Sequence, residues 1–249
     1  MSLSIKDGGA WKEPTKLEVK DGGAWKEVIT GSIKDGGSWK PFYTRKFTYT
    51  VLSNVNKLDL DTVLSADNKL GDVDVIINAG VYVYSNSTGT PALRTGSGVA
   101  GILTIINNGY IYGAGGNGGA GNRGFANGYA GSAGGTALYL EKDITLDNNG
   151  SILGGGGGGG GGSGGQNWHG GFSQSYSYGS GGGGGGGASY GSGAAGGSGA
   201  GSGASGGLSS GGGGGSATAD DGADGGVGGA GGNIGQAGSA GANTNSSGN

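Results

Sequence analysis

The sequence predicts a mainly β and irregular fold: a small N-terminal module of β-hairpin repeats, a region of short strands, and a glycine-rich bundle of extended chains. Two observations carry this prediction. A 14-residue unit occurs three times near the N-terminus, and most of the 72 glycines in the 249 residues follow residue 110. We therefore expect three parts, covering residues 1–44, 45–112 and 113–249. Collagen is excluded because it needs abundant proline, and this chain has 3 prolines.

Each N-terminal repeat places Lys-Asp-Gly-Gly between a β-branched residue and a tryptophan: Trp11, Trp25 or Trp39. Asp-Gly is a preferred centre of tight turns, so each unit is predicted to be a short β-hairpin. A single hairpin is marginal in water, and the three must pack on one another or on a partner. One interpretation makes the tryptophans a small private core. The other has three like units docking onto a trimeric partner, one unit per subunit.

The middle part contains a strand and a second, weaker repeat. Residues 45–52 alternate between apolar and polar side chains, which is a strand pattern. A strand, an Asn/Gly corner and another strand recur at 75–83, 103–111 and 144–152. These units fit either β-hairpins or the rungs of a small β-solenoid. The last two units lead directly into glycine, so we expect the strands to anchor the glycine-rich part.

The glycine-rich part has two interpretations. Low hydrophobicity favours disorder, because burial does not offset an ordering cost of about 1–2 kcal/mol per residue. The ordered alternative is a bundle of threefold extended helices, whose N–H and C=O groups point sideways and can bond neighbouring chains when the residues are glycine. Glycine runs with clear bounds, at 154–162, 181–187 and 211–215, favour order.

The segments that separate the glycine runs are predicted to be exposed loops at the far end of the glycine stack. They are residues 122–129, 166–178, 188–190, 218–221 and 243–249. Tyr, Trp, Ser, Gly and Asn, which recur in them, also serve the combining loops of antibodies. We expect a binding surface formed by Arg123, Phe125, Tyr129, Trp168, His169, Phe172, Tyr176, Tyr178 and Tyr190. Trp168, Tyr176 and Tyr178 are the expected anchors, since binding hot spots favour Trp and Tyr.

The composition argues against several functional classes. The chain has no Cys and 1 His, so we expect no thiolate nucleophile, no metal site and no cofactor. Asp220, Asp221 and Asp224 lack the sustained nine-residue period of a calcium β-roll. A net charge of −3 gives no footprint for nucleic acid. No window approaches the roughly 20 apolar residues of a membrane span. We therefore expect neither an enzyme, nor a nucleic-acid binder, nor a membrane-inserted protein.

The layout resembles the receptor-binding adhesins at the tips of long tail fibres in T-even-like bacteriophages. The matching features are the glycine runs and the stretch from Asn107 to Gly116, within roughly residues 100–249. The resemblance implies a layered polyglycine-II sandwich whose distal loops bind an outer-membrane protein or surface glycan of the host. It also implies a place at the distal tip of the tail fibre in the virion. One copy per tip would then dock on a trimeric fibre protein through Trp11, Trp25 and Trp39.

Two rival interpretations stay open on the residues alone. One is a structural or ice-binding glycine-rich protein, and the other is a β module with a disordered glycine-rich tail. An ice-binding protein would carry a flat face of regularly spaced small residues. Here the aromatic residues cluster between the glycine runs, which favours the adhesin.

Overall fold

The computed structural model of the protein describes residues 5–7, 9–12, 14, 16–124, 126–169, 175–189, 191, 200–220 and 223–243. Strands and irregular chain dominate these residues, so the mainly β and irregular fold class is confirmed. The division of the chain after residues 44 and 112 stays a prediction. None of the helices in the described ranges is long and apolar enough to cross a membrane.

Three antiparallel β-hairpins occupy the N-terminal repeats, as predicted. Their strands are β1 (Ile5–Asp7), β2 (Ala10–Lys12), β3 (Glu18–Asp21), β4 (Ala24–Glu27), β5 (Thr30–Asp35) and β6 (Ser38–Thr44). The turn differs from expectation: Asp21 pairs with Ala24, so the two loop residues are Gly22 and Gly23 and not Asp-Gly. Both glycines have positive φ, +59° and +88°, as a type I′ turn requires.

The middle region is a parallel β-solenoid with three sheets and four rungs. The rungs contain, in order, β7 (Lys46–Val51), β8 (Val55–Asn56) and β9 (Leu58–Asp59); β10 (Asp72–Ile77), β11 (Tyr82–Tyr84) and β12 (Leu93–Arg94); β13 (Leu103–Asn107), β14 (Tyr110–Tyr112) and β15 (Leu138–Tyr139); and β16 (Thr145–Asn148) and β17 (Ser151–Leu153). A short helix, α1 (Leu60–Val63), and a 3-10 turn, Asn68–Leu70, connect the first two rungs.

Like strands of successive rungs pair in parallel. The three sheets have the orders β16-β13-β10-β7, β17-β14-β11-β8 and β15-β12-β9. The solenoid interpretation of the weaker repeat is therefore confirmed, and the hairpin interpretation is wrong. Each copy of the weaker repeat runs from a strand of the first sheet, through the Asn/Gly corner, into a strand of the second sheet of the same rung.

The solenoid core consists of apolar side chains stacked from equivalent positions of successive rungs. In the first sheet Tyr49, Val75, Ile105 and Leu146 lie in register. Val75 and Ile105 are fully buried, whereas Leu146, in the last rung, is 43% exposed. Burial alternates along β10 because successive side chains of a strand point to opposite faces. The core therefore lies inside the rungs, and the side chains of the outer faces are partly exposed.

The Asn/Gly corners of the repeat satisfy the polar groups where the chain changes sheet. Asn107 is buried; its Nδ2 donates to Oδ1 of Asn148 at 2.7 Å, and its Oδ1 accepts from the N–H of Gly109 at 3.2 Å. A Cβ at Gly109 would lie 2.4 Å from the carbonyl oxygen of Val81, so only glycine fits there. These contacts explain why Asn and Gly recur together.

The described residues of the glycine-rich part include eight extended segments without helix or strand. We name them A (113–122), B (128–135), C (154–164), D (181–189), E (200–207), F (210–217), G (225–232) and H (236–243). Segments A and B form an excursion between β14 and β15, and segments C to H follow β17. Disorder, the alternative interpretation, is wrong for these segments because their backbone groups bond one another.

The hydrogen bonds between segments repeat every three residues. Three successive N–H groups of segment C donate to three different neighbours at 2.8–2.9 Å: Gly158 to Ser132 of segment B, Gly159 to Gly185 of segment D, and Gly160 to Ser239 of segment H. The next N–H, that of Gly161, returns to segment B at Tyr129. A period of three is what a polyglycine-II helix predicts. The helical parameters themselves stay a prediction.

These bonds arrange the segments in three layers. Segments C, D and E form the middle layer, with A and B on one side and F, G and H on the other. Segment C bonds five neighbours (A, B, D, G and H), and segment D bonds A, C, E, F and G. We call this arrangement the glycine lattice. Side chains contribute little to it, so its cohesion resides in the backbone.

The lattice is fastened to the solenoid at one end, here called the base. The N–H of Gly113 donates to the carbonyl of Leu153 at 3.0 Å, and Oγ of Ser189 donates to the carbonyl of Ser85 at 3.3 Å. The expectation that the strands anchor the glycine part is thus confirmed. A correction follows for Ala188 and Ser189, which we expected in a far-end loop. Both are fully buried at the base, because segment D ends there.

A tight approach between segments makes glycine obligatory at some positions and optional at others. A Cβ at Gly158 would lie 1.9 Å from the carbonyl oxygen of Asn117, whereas a Cβ at exposed Gly213 would meet nothing within 4 Å. We expect Gly158→Ala to lower the free energy of unfolding by about 1–3 kcal/mol through overpacking. Gly213→Ala should raise it by about 0.4–1 kcal/mol by restricting the unfolded chain. Chemical denaturation measures both, and equal effects would contradict the packing described here.

Three tyrosines on the outer face of the second sheet give stability a dependence on alkaline pH. The rings of Tyr82 and Tyr110 stack with centroids 4.5 Å apart, and that of Tyr112 lies within 5.7 Å of both. Burial, and then the neighbouring phenols, raise the pKa of Tyr112 above its ordinary value. The folded chain therefore keeps a proton that the unfolded chain releases near pH 10, and stability falls as the pH rises through the raised pKa.

We expect Tyr112→Phe to make this alkaline loss of stability shallower. Denaturant unfolding at several pH values between about 8 and 11 measures the slope. Tyr139→Phe is the matched control, since Tyr139 is 51% exposed. A slope that changes as much in the control as in the Tyr112 variant would contradict the assignment.

Candidate binding site

In the part of the chain that the structure describes, three crossovers between glycine segments lie at the end of the lattice away from the solenoid. They are residues 123, 124, 126 and 127 between segments A and B; the hairpin β18 (Gly165–His169) and β19 (Ser175–Gly179) between C and D; and the hairpin β20 (Ala219–Asp220) and β21 (Ala223–Asp224) between F and G. Both hairpins are antiparallel. The described residues of the segments at 122–129, 166–178 and 218–221 lie at this end, although those of the second and third segments form hairpin strands and not loops. Their role as a binding surface stays a prediction.

The backbone ties these crossovers to one another. Ser180, which follows β19, forms β-bridges with both Arg123 and Thr218. The N–H of Thr218 donates to the carbonyl of Ser180 at 3.0 Å, and that of Gly124 donates to the carbonyl of Gly179 at 3.4 Å. All three crossovers therefore share a set of main-chain bonds where they leave the lattice. A surface held in this way loses less conformational entropy on binding than three independent loops would.

Aromatic side chains are exposed at this end. Trp168 is 54% exposed, Tyr178 36% and Tyr129 65%. The hairpin register pairs Gln166 with Tyr178 and Trp168 with Tyr176. Because side chains alternate along strands, Trp168 and Tyr178 emerge on the same face of the hairpin. That face offers rigid, amphipathic contact area.

Arg123 adds a positive charge beside the aromatic hairpin. Its guanidinium carbon lies 5.4 Å from the ring centroid of Tyr178, which is a cation–π contact. Such contacts contribute about 0.5–1 kcal/mol at exposed sites. The loop that carries Arg123 is closed by Nδ2 of Asn122, which donates to the carbonyl of Asn127 at 3.1 Å. The charge is thus held in place by an adjacent ring and a closed loop.

The residues predicted to form the binding surface do not all lie in the same part of the structure. The structure brings Arg123, Trp168 and Tyr178 together at the far end, and Tyr129 begins the return to the solenoid close by. His169 and Tyr176 lie within the hairpin, where the described part of each is its backbone. Phe125, Phe172 and Tyr190 lie outside the described residues. Ser189 and Gly191, the neighbours of Tyr190 in the chain, lie at the base, where Gly191 donates to the carbonyl of Gly187 at 2.9 Å.

A second candidate surface lies on the N-terminal hairpins. Trp25 is 66% exposed and Trp39 70% exposed. The private-core interpretation is therefore wrong for these two residues. For Trp11 the structure describes the backbone, which pairs with Lys6 in β1. Both indoles are therefore surface residues of the described hairpins.

The repeated hairpins present their tryptophans in the same setting. Trp25 lies across from Lys20, and Trp39 across from Lys34. In both hairpins the other face carries a lysine–aspartate pair with the same N···O distance of 2.6 Å: Lys26 with Asp21, and Lys40 with Asp35. These exposed ion pairs contribute little to stability. They show that the units repeat in side-chain geometry as well as in sequence.

Sequence reasoning missed two groups of residues. Ser180 and Thr218 join the crossovers through backbone bonds, and a contact made by the main chain leaves no side-chain signature to find. Lys20 and Lys34 lie across from the tryptophans. The fixed position of this lysine in each repeat, just before Asp-Gly-Gly, could have predicted the pairing. Within the described ranges, no cluster of three acidic or histidine side chains is placed to hold a metal ion.

Comparison with known proteins gives one match to a solved structure and one to a family. The crystal structure of the gp37-gp38 adhesin tip complex of the bacteriophage S16 long tail fibre matches with a TM-score of 0.49 and 22% identity. That match covers 80% of this chain and 71% of the other. No curated protein sequence matches. The family model for the phage tail fibre adhesin Gp38 matches residues 46–249, from the first solenoid strand onward. The chain therefore belongs to the phage tail fibre adhesin Gp38 family.

Proposed function

We propose that this adhesin joins two partners: a trimeric tail-fibre protein at its N-terminal hairpins, and a host outer-membrane protein or surface glycan at its far-end crossovers. One copy would sit at the distal tip of each fibre. The role is binding without catalysis, in keeping with the family of tail fibre adhesins. Neither a cofactor nor a nucleic acid takes part.

The observation that carries this proposal is the aromatic hairpin β18–β19 mounted on the glycine lattice. Segments A, B and C, of 8 to 11 residues at about 3.1 Å each, separate the solenoid from the crossovers, a distance of roughly 25–34 Å. The lattice spans that distance with bonded backbone and not with a flexible tether. Receptor contacts on a rigid support pay less ordering entropy when they form.

The composition of the far end suits recognition of a surface molecule. Trp168 and Tyr178 offer apolar rings that also carry hydrogen-bonding groups, and Arg123 offers a fixed cation. Trp, Tyr and Arg are the residue types that dominate binding hot spots. Several fibres on one particle would multiply a modest single affinity through effective concentration.

The fibre-docking proposal depends on repetition and exposure. Three hairpins of the same design match a partner with three equivalent subunits, since equivalent surfaces make equivalent contacts. These hairpins lie before residue 46, outside the family match. Their exposed tryptophans supply large apolar area for each contact.

The ice-binding alternative receives no support from the solenoid faces. On the first sheet Thr48, Asp74, Thr104 and Thr145 lie in one outward row. Asp74 interrupts the row and pairs with Lys46 at 2.7 Å. An array of regularly spaced small residues is therefore broken at its second rung.

For the receptor surface we expect Trp168→Ala combined with Tyr178→Ala to weaken attachment to host cells by about thirtyfold or more, as the loss of one strong hot spot does. Tyr139→Ala is the matched control, because it removes an exposed tyrosine from the solenoid. A cell-binding titration with labelled protein measures the effect. Unchanged attachment by the folded double variant would contradict the proposed site.

For the fibre surface we expect Trp25→Ala combined with Trp39→Ala to weaken binding to the purified trimeric fibre protein by about thirtyfold or more. Attachment of the free adhesin to host cells should not change. The Trp168 variant serves as the reciprocal control and should bind the fibre normally. Loss of both activities in either variant would point to misfolding, and retention of fibre binding by the hairpin variant would refute the docking mode.

A further inference from the structure

A cavity of about 440 Å³ opens along the side of the glycine lattice, between segments B, C and H. Seven glycines line it: Gly128 and Gly131 from segment B, Gly158, Gly160 and Gly161 from segment C, and Gly238 and Gly241 from segment H. Ala130 and Ala240 stand exposed at its rims. The cavity lies at the edge of the middle layer, where the lattice has room for one more chain beside segment C.

The hydrogen bonds of segment C identify the floor of this cavity. Its carbonyls fall into three sets, each repeating every three residues. The set containing Gly159 accepts from segment A, at Gly119, and the set containing Gly160 accepts from segment G, at Gly229, both at 2.8 Å. The third set contains Gly158 and Gly161, and no described residue donates to it. By the threefold symmetry of the segment, these carbonyls face the open side.

The two walls, segments B and H, also have one unpaired backbone group in every three residues, but there the unpaired groups are N–H donors and not carbonyls. In segment B the N–H groups of Tyr129 and Ser132 donate to segment A, and in segment H that of Ser239 donates to segment G. The neighbouring sets have no acceptor among the described residues: Gly128 and Gly131 in segment B, and Gly238 and Gly241 in segment H. The unpaired backbone groups thus belong to six of the seven glycines that line the cavity, and the seventh, Gly160, bonds segments G and H. The hydrogen-bond pattern and the lining of the cavity are separate observations, and both point to these six glycines.

We propose that this cavity binds an extended polypeptide segment of a partner, in the polyproline-II conformation, as an additional chain of the lattice. Its N–H groups at every third residue would donate to the carbonyls of Gly158 and Gly161. Its own carbonyls would accept from the walls. The site lies on the lattice and not on the crossovers, so it does not depend on the receptor surface proposed above.

The packing of the neighbouring segments sets the residue type that the site accepts. Segments A and G donate to segment C as the ligand would, through Gly119 and Gly229. A Cβ at Gly119 would lie 1.9 Å from the carbonyl oxygen of Tyr129 in segment B, and one at Gly229 would lie 2.1 Å from that of Ser239 in segment H. The ligand residue that donates to the floor must therefore be glycine. The other positions admit proline, which pre-orders the chain and so lowers the entropic cost of binding.

The probe is a soluble peptide of four Gly-Pro-Ser triplets, observed by saturation-transfer NMR, which detects weak binding. Its matched control replaces each glycine by N-methylglycine, which removes the N–H that faces the floor and keeps the carbonyls. We expect saturable transfer to the first peptide. The control should bind about tenfold more weakly or worse, as the loss of two hydrogen bonds predicts.

Protein variants locate the binding. Ala130→Phe and Ala240→Phe place a ring in the cavity from either rim, at positions where a Cβ already exists, and should abolish transfer. Ala204→Phe, at an exposed position of segment E on the opposite edge of the middle layer, should leave it unchanged. Thermal unfolding confirms that each variant is folded. The proposal is overturned if the peptide gives no transfer, if the N-methylated peptide binds equally, or if the rim variants bind as the wild type does.

Discussion

The structure depends on one interaction: the hydrogen bond between main chains that carry no side chains. Extended segments have no internal hydrogen bonds, so their N–H and C=O groups must bond a neighbouring segment or water. Segment C does so with five neighbours, in a repeat of three residues. Close approach follows from this need, since a Cβ at Gly155 would lie 1.7 Å from the carbonyl oxygen of Ala114. The glycine content is therefore a packing requirement and not a sign of flexibility.

The solenoid supplies the starting register for that lattice. In its second sheet Tyr112 pairs with Leu153, and the same partnership continues into the glycine part as Gly113 bonds Leu153 and Gly116 bonds Gly156. Parallel strands about 4.8 Å apart present the spacing that adjacent extended chains need. Glycine loses more entropy on ordering than other residues do. A preformed edge offsets part of this cost, because the first bonds of each segment are already aligned.

The sequence predicted the hairpins, the anchoring strands and the far-end aromatic crossovers, because each has a local signature. Trp25 and Trp39 repeat at a fixed interval, and Asn107 with Gly109 marks a corner. It did not predict the partners of individual glycines, since a run such as 154–162 carries no register of its own. Ser189 shows the limit: as a polar residue between glycine runs it looked like a loop, yet it is buried against the solenoid. Tertiary bonds that use only the backbone decided its place.

The direction of the segments has a consequence for how this adhesin can change. Each crossover leaves and re-enters the lattice through bonded positions, such as Asn122, whose carbonyl accepts from Gly181 at 2.7 Å. Lengthening or rewriting the residues beyond those positions alters no bond within the layers, and added loop length costs little closure entropy. The fold thus separates the bonded layers, which must stay constant, from the crossovers, which are free to vary. Tips of different length and sequence can therefore be exchanged while the scaffold is inherited unaltered.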